Sequence, residues 1–138
     1  MQLKSLTIEN FGIYKGLHTV DLTVSEQKPI ILFGGLNGGG KTTFLDALQL
    51  VLYGKHARCS NRGSQAYGTY LASTKNRFSE PSDDVSLTLE FSHRTDTNEQ
   101  AYTVQRSWFI AKQPENTRDK LKVLCDGEVD DFISSNWD

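Results

Sequence analysis

The stretch that most constrains this chain is Gly35-Leu36-Asn37-Gly38-Gly39-Gly40-Lys41-Thr42, which satisfies G-x-x-x-x-G-K-[ST] at every fixed position. Its surroundings sharpen the match. Pro29–Phe33 (PIILF) is a continuously apolar run, the pattern of a short strand buried on both faces. Lys41–Leu52 carries Phe44, Leu45, Leu48, Val51 and Leu52 at helical spacing, with Gly54 as a stop signal. Strand, glycine loop and helix in this order form a cradle for phosphates. Glycines let the backbone curl until successive N–H groups face inward, and the start of the helix adds a positive field. The pattern predicts that Gly35, Gly38, Gly39 and Gly40 supply this backbone and that Lys41 reaches the β- and γ-phosphates. Thr42 is then the Mg²⁺ ligand, and Asn37 and Thr43 hydrogen-bond phosphates at the two flanks. The competing reading is a glycine-rich turn that binds nothing. The motif in its context points to a nucleoside-triphosphate site, with ATP and Mg²⁺ as the expected ligands.

Turnover demands more than phosphate binding. It needs an apolar strand ending in a carboxylate that holds Mg²⁺ and orients water. The nearest match is Lys122-Val123-Leu124-Cys125-Asp126, where Gly127 marks Asp126 as a turn residue and no second carboxylate follows. His18, His56 and His93 are scattered and have no partnered nucleophile. No catalytic residue is assigned. The sequence reads as the nucleotide-binding half of an enzyme, with a nucleotide-holding regulatory module as the alternative. A small-molecule kinase fits less well, because lid arginines are missing and Val85–Cys125 is rich in strands.

The other elements follow from period and turn chemistry. Gln2–Asn10 alternates as a half-buried strand, Gly12 sits in a turn, and Leu17–Leu22 is its hairpin partner. Ser64–Ser73 predicts a short helix with Tyr67, Tyr70 and Leu71 on one side. Thr74–Ser82 is a polar connection. Val85–Phe91, Tyr102–Trp108 and Leu121–Cys125 predict three strands, the last turning at Asp126-Gly127. Asp130–Asp138 reads as the start of a helix. The expectation is a single α/β lobe spanning 1–138.

Composition bears on partners and compartment. The net charge of −2 argues against a dedicated nucleic-acid binder, but the charge is unevenly spread. From Ala47 to Ser79 there is no Asp or Glu, while Lys55, Arg58, Arg62, Lys75 and Arg77 fall within it. Arg58 and Arg62 are therefore candidate contacts to DNA phosphates or to a partner subunit, against an ordinary solvated loop. Cys59 and Cys125 show neither metal-ligand nor disulfide spacing, so a reducing cytoplasm is expected. Cys59 reads as a small half-buried residue rather than a sulfur carrier. No apolar run approaches the roughly 18–20 residues of a membrane span. Met1–Asn10 is charged and alternating, unlike a signal peptide.

The order of elements carries a resemblance. An N-terminal strand ending in Asn10-Phe11, a second strand, a buried run and then Asn37–Leu48 resemble the N-terminal lobe of SMC-type ATPases. That family's N-F pair and N-G-x-G-K-[ST]-[ST]-[IFL]-L-[DE]-A-[IL] pattern match almost position by position. The fold this implies is a P-loop NTPase lobe of ABC/SMC type, an antiparallel β subdomain around a P-loop strand and helix. Where several members carry Arg or Lys after Asn-Phe, this chain has Gly12.

Phe33–Gly38, then Leu52-Tyr53-Gly54-Lys55, Arg58–Gly63 and Tyr67…Tyr70-Leu71 narrow the resemblance to the DndD family. These are SMC-like ATPases of bacterial DNA phosphorothioation, the sulfur modification of DNA; the alternative the wider resemblance implies is another SMC-type ATPase lobe of DNA repair or recombination. The resemblance covers Met1 to about Leu71 closely, and Val85–Trp108 only by strand pattern. It implies a glutamine-bearing loop, a coiled coil and a C-terminal lobe with the acidic Mg²⁺ strand, none of them among these residues. The partners it implies are DNA, the protein's own C-terminal lobe, a sister subunit and other sulfur-modification proteins.

Overall fold

The structure, a computed structural model, describes all of residues 1–138. Its frame is a six-stranded, wholly antiparallel sheet. In chain order the strands are β1 (Gln2–Phe11), β2 (Tyr14–Asp21), β3 (Val85–Arg94), β4 (Glu99–Trp108), β5 (Lys120–Cys125) and β6 (Glu128–Val129). In space they run β2-β1-β3-β4-β5-β6. The helices are α1 (Lys41–Tyr53), α2 (Tyr67–Ser73) and α3 (Asp131–Asn136).

Alternation decides which face of the sheet is covered. Leu6 pairs with Leu89, Ile8 with Leu87, Leu89 with Val104, and Val104 with Val123, and all of these are buried. Phe44, Ala47, Leu50 and Val51 of α1 and Tyr70 and Leu71 of α2 belong to the same core. Trp108 closes it, donating its indole N–H to Leu71 O at 3.1 Å and meeting Phe11 edge-on. The opposite face carries polar cross-strand pairs such as Thr7 with Thr19 and Ser5 with Glu90.

One buried position of the sheet is charged. Arg106, 0% exposed, stands where β4's alternation calls for an apolar residue. It donates to Val51 O near the end of α1 at 3.0 Å, to Asp119 at 2.7 Å, and to both carboxylate oxygens of Asp138. Burial pulls its pKa down, and the hydrogen bonds to Asp138 and Asp119 more than offset this, so the net shift is upward. The network ties the end of the P-loop helix to the segments before β5 and after α3.

Two expectations need correction. Pro29–Phe33 is not a strand and is not buried: Ile30 is 75% and Leu32 89% exposed. A strand exists only where another backbone offers a ladder. All pairing of this sheet lies between its six strands, so the run has no partner. The buried stripe of α1 is also turned from the one the largest apolar residues suggest. Ala47 and Leu50 face the sheet, whereas Leu45 is exposed and Leu48 half-buried. Leu45 and Leu48 instead line an apolar groove of about 350 Å³ with Leu3, Leu22, Ile31 and Phe33. The helix thus has two apolar sides, one toward the sheet and one toward the unpaired run.

Candidate functional site

The glycine loop enters α1 as its motif requires. Gly38 (φ +82°) and Gly40 (φ +91°) take left-handed conformations that L side chains resist. Gly39 N–H donates to Leu36 O at 3.0 Å, closing the turn, and a Cβ on Gly39 would press on that oxygen. Lys41 Nζ bonds to the carbonyls of Gly35 and Leu36, spanning the mouth of the loop. Thr42 lies exposed on the first turn, and Thr43 is half-buried beside it.

Asn37, Gly38, Gly40, Lys41, Thr42 and Thr43, with Ile13, enclose a polar cavity of about 190 Å³. That is room for about six waters at ~30 Å³ each. The glycine cradle, the ammonium and the hydroxyl fit a Mg²⁺-bound phosphate chain. A second, more apolar cavity of about 370 Å³ adjoins at Lys41, walled by Tyr14, Val20, Phe33, Phe44 and Leu45.

The β1–β2 hairpin braces this loop. Tyr14 Oη donates to Gly40 O at 3.1 Å. A Cβ on Gly40 would come under 3.0 Å from Ile13 Cδ1 and Tyr14 Oη, and one on Gly12 under 3.0 Å from Thr43 Cγ2. The tip is held in turn by Asn10, buried and at φ +53°. Asn10 Oδ1 accepts the Gly16 N–H at 2.9 Å, its Nδ2 donates to Asp84 O at 3.1 Å, and its carbonyl accepts the Asn76 N–H at 2.8 Å. Gly12 N–H donates to Thr74 O, and Asn76 Nδ2 to Gly12 O. Asn10 and Phe11, a family marker in the sequence, shape the hairpin that holds the P-loop. Tyr14, Asn76 and the Gly12–Thr43 contact gave no signal in the sequence, because each depends on segments brought together by folding.

Of the basic candidates, Arg58 is exposed, its side chain free of hydrogen bonds within the chain. Arg62 is half-buried: Nη1 donates to Lys55 O and Ala57 O, and the guanidinium lies over the Tyr67 ring at 5.2 Å from its centroid. Cys59 is buried, and burial pushes its thiol pKa up. Asp126 sits in the β5–β6 turn at φ +50°, its carboxylate taking the Ala101 N–H at 2.9 Å. It is a turn residue, and no group of three or more His, Cys, Asp or Glu side chains forms a metal site.

An antiparallel sheet packed on a P-loop helix, with a phosphate cradle at that helix's start, defines a P-loop nucleotide-binding domain of the α/β class. The chain belongs to the AAA domain family, whose model matches residues 5–136. It is also similar to the C subunit of the SbcCD nuclease of Treponema pallidum (strain Nichols), 39% identical over 92 residues. That alignment takes in 67% of this chain and 8% of the relative. The corresponding SbcCD protein of Vibrio cholerae serotype O1 is 32% identical over 72 residues, 52% of this chain and 7% of that protein. The chain spans less than a tenth of the length of these relatives. The likeness is that of an SMC-type ATPase lobe. No helix is long and apolar enough to cross a membrane.

Proposed function

We propose that this chain is the ATP-binding N-terminal lobe of an SMC-type ATPase that acts on DNA, with ATP and Mg²⁺ as ligands. The observation that carries the reading is the braced glycine cradle with Lys41 at its mouth. On binding, Lys41 exchanges two neutral carbonyl acceptors for phosphate oxygens, a stronger charge-assisted bond. Thr42 is the residue placed to ligate Mg²⁺, and Asn37 and Thr43 flank the phosphates. The apolar cavity beside Lys41 suits the nucleobase. Mg²⁺ supplies charge neutralisation on the phosphate chain when bound.

The acidic strand for hydrolysis is assigned to the protein's own C-terminal lobe, engaged with a sister subunit. The exposed Pro29–Phe33 run and the apolar groove beside it support a complementing segment there. Arg58 and Arg62 are the proposed contacts to DNA or a partner.

The similarity to a nuclease subunit supports a role in DNA repair beside a nuclease partner. A second reading, sulfur modification of DNA with its companion proteins, is favoured by the matches at Phe33–Gly38, Leu52–Lys55 and Arg58–Gly63. Copurification of the complete protein with a nuclease partner, or with sulfur-modification proteins, separates the two.

Lys41→Ala tests the nucleotide site. ATP-Mg²⁺ at about a hundred times its Kd stabilises a folded protein by about 2.7 kcal/mol. The melting-temperature shift this gives should vanish in Lys41→Ala. An equal shift in both proteins would refute the assignment.

A further inference from the structure

The loop after α1 borders an open concavity of about 540 Å³ between Ala57 and Gln65. Its walls are polar, formed by Arg58, Ser60, Arg62, Ser64 and Gln65. None of its lining residues is acidic, and the chain's two ion pairs both belong to Arg106. Arg62 is held in place by two carbonyls and the Tyr67 ring, with no ion-pair partner. Arg58 is free, and the N–H groups of Asn61, Gly63 and Ser64 have no acceptor in the chain. A cationic hollow with spare backbone donors has the chemistry of phosphate recognition.

Asp46, 7% exposed on α1, ties this loop to the P-loop helix. Its Oδ1 accepts both the Ser60 N–H at 2.9 Å and the Ser60 hydroxyl at 3.0 Å. Its backbone carbonyl takes the Cys59 S–H at 3.6 Å, and Gln49 Oε1 takes the Arg58 N–H at 3.3 Å. This bonding shapes the loop, and Asp46 forms no ion pair with Arg58 or Arg62. Asp46 also lies one helical turn beyond Thr42, so one rigid helix carries the phosphate cradle at its start and the loop's anchor on its flank.

We propose that the Ala57–Gln65 loop binds the phosphodiester backbone of DNA, and that Asp46 is its positioning residue, holding the loop's donors together on the P-loop helix. The proposal rests on the reading of this chain as a DNA-acting lobe, and adds the binding surface and the residue that shapes it.

The test uses the complete protein, a short fluorescent duplex and anisotropy titrations over a series of salt concentrations. Arg58→Glu should weaken binding about tenfold and lower the log–log salt slope by about one, the signature of a lost phosphate contact. Asp46→Ala should weaken DNA binding about three- to tenfold, leave ATP-Mg²⁺ affinity unchanged, and speed alkylation of Cys59 as the loop loosens. Asp46→Asn keeps an oxygen for the Ser60 N–H and should restore most of the affinity.

Unchanged DNA binding and salt slope in Arg58→Glu would overturn the site. Faster Cys59 alkylation in Asp46→Ala with unaltered DNA affinity would overturn the positioning role, as would an equal loss of ATP affinity. If Asp46→Ala shows no cooperative melt, Ser60→Ala takes its place with the same expected outcomes. Protection of Cys59 by inorganic phosphate but not by duplex would make free phosphate the ligand and overturn the DNA assignment. If the unaltered protein binds no duplex with or without ATP, the DNA-acting reading itself fails, and the proposal with it.

Discussion

Gly12→Ala puts the contact between hairpin and P-loop under load. Gly12 sits at φ +56°, where an L residue costs about 1–2 kcal/mol. The added methyl would overlap Thr43 Cγ2, while Thr43 Oγ1 would be at an ordinary 3.4 Å. The residue cannot step aside, because Thr74 O holds its N–H and Asn76 holds its carbonyl. Overpacking of this kind costs about 1–3 kcal/mol. The combined loss is about 3 kcal/mol. With an unfolding entropy of about 2.1 cal/mol/K per residue, a chain of this length should melt about 10 °C lower.

Thr43→Ser removes the offending methyl and leaves the hydroxyl. In that background Gly12→Ala should cost only its backbone term, about 1–2 kcal/mol, or roughly half the drop in Tm. The coupling in the double-mutant cycle is then about 1–3 kcal/mol, read from thermal melts of the four proteins. ATP binding should follow the same pattern, weakened by Gly12→Ala alone and recovered in the double variant. Additive effects, with coupling below about 0.5 kcal/mol, would show that the hairpin does not press on Thr43. The account of the brace would then be wrong.

Arg106→Ala and Arg106→Met both strand Asp119 and Asp138 without their partner and should each destabilise by about 3 kcal/mol; in urea melts, full recovery of stability in Arg106→Met, which fills the space without the charge, would refute the ion-pair account. Because burial and the Asp46 charge hold the Cys59 thiol above its usual pKa, against opposing pulls from Tyr70 and Arg62, its alkylation in the native protein should rise only at a higher pH than for free cysteine. An unshifted pH profile would count against a buried thiol. Asp126→Asn keeps an oxygen for the Ala101 N–H and should leave ATP-Mg²⁺ affinity unchanged, and a loss of Mg²⁺-dependent binding by isothermal titration would restore Asp126 as a ligand.

What was legible in the sequence was local. The glycine spacing, the period of α1, the alternation of β1, β3 and β4, and the Asp126-Gly127 turn each depend on neighbours within a few residues. What escaped depends on distant partners. Pro29–Phe33 has the pattern of a buried strand, but pattern records a tendency to leave water and says nothing about which backbone will pair with it. On α1 the large residues Leu45 and Leu48 suggested the core face. The sheet instead takes Ala47, whose small side chain lets helix and strand approach. Arg106 looks misplaced in an apolar strand until Asp119 and Asp138, 13 and 32 residues on, are folded against it. Asp46 stood within the motif that carried the resemblance, yet its bond to Ser60 is visible only once the loop has turned back on the helix.

The two walls of the nucleotide site differ in kind, and the difference bears on how it works. The wall formed by Tyr14, Gly12 and the first turn of α1 is fixed by hydrogen bonds and close contacts to a sheet whose strands are fully paired. On the other side Pro29–Phe33 is an apolar segment with no ladder, touching the helix through Phe33 stacked at a tilt on Phe44. A phosphate chain bound at Lys41 and Thr42 would rest on the rigid side, near a segment whose backbone groups are unpaired. A strand docking beside that segment would bury its side chains and order the loop's entry in one step, since Phe33 leads directly into Gly34 and Gly35. Cradle and apolar groove are lined by different residues, joined in the chain through Phe33-Gly34-Gly35. If a nucleotide and a complementing strand both bind here, order gained on either side of the loop would lower the conformational cost of binding on the other.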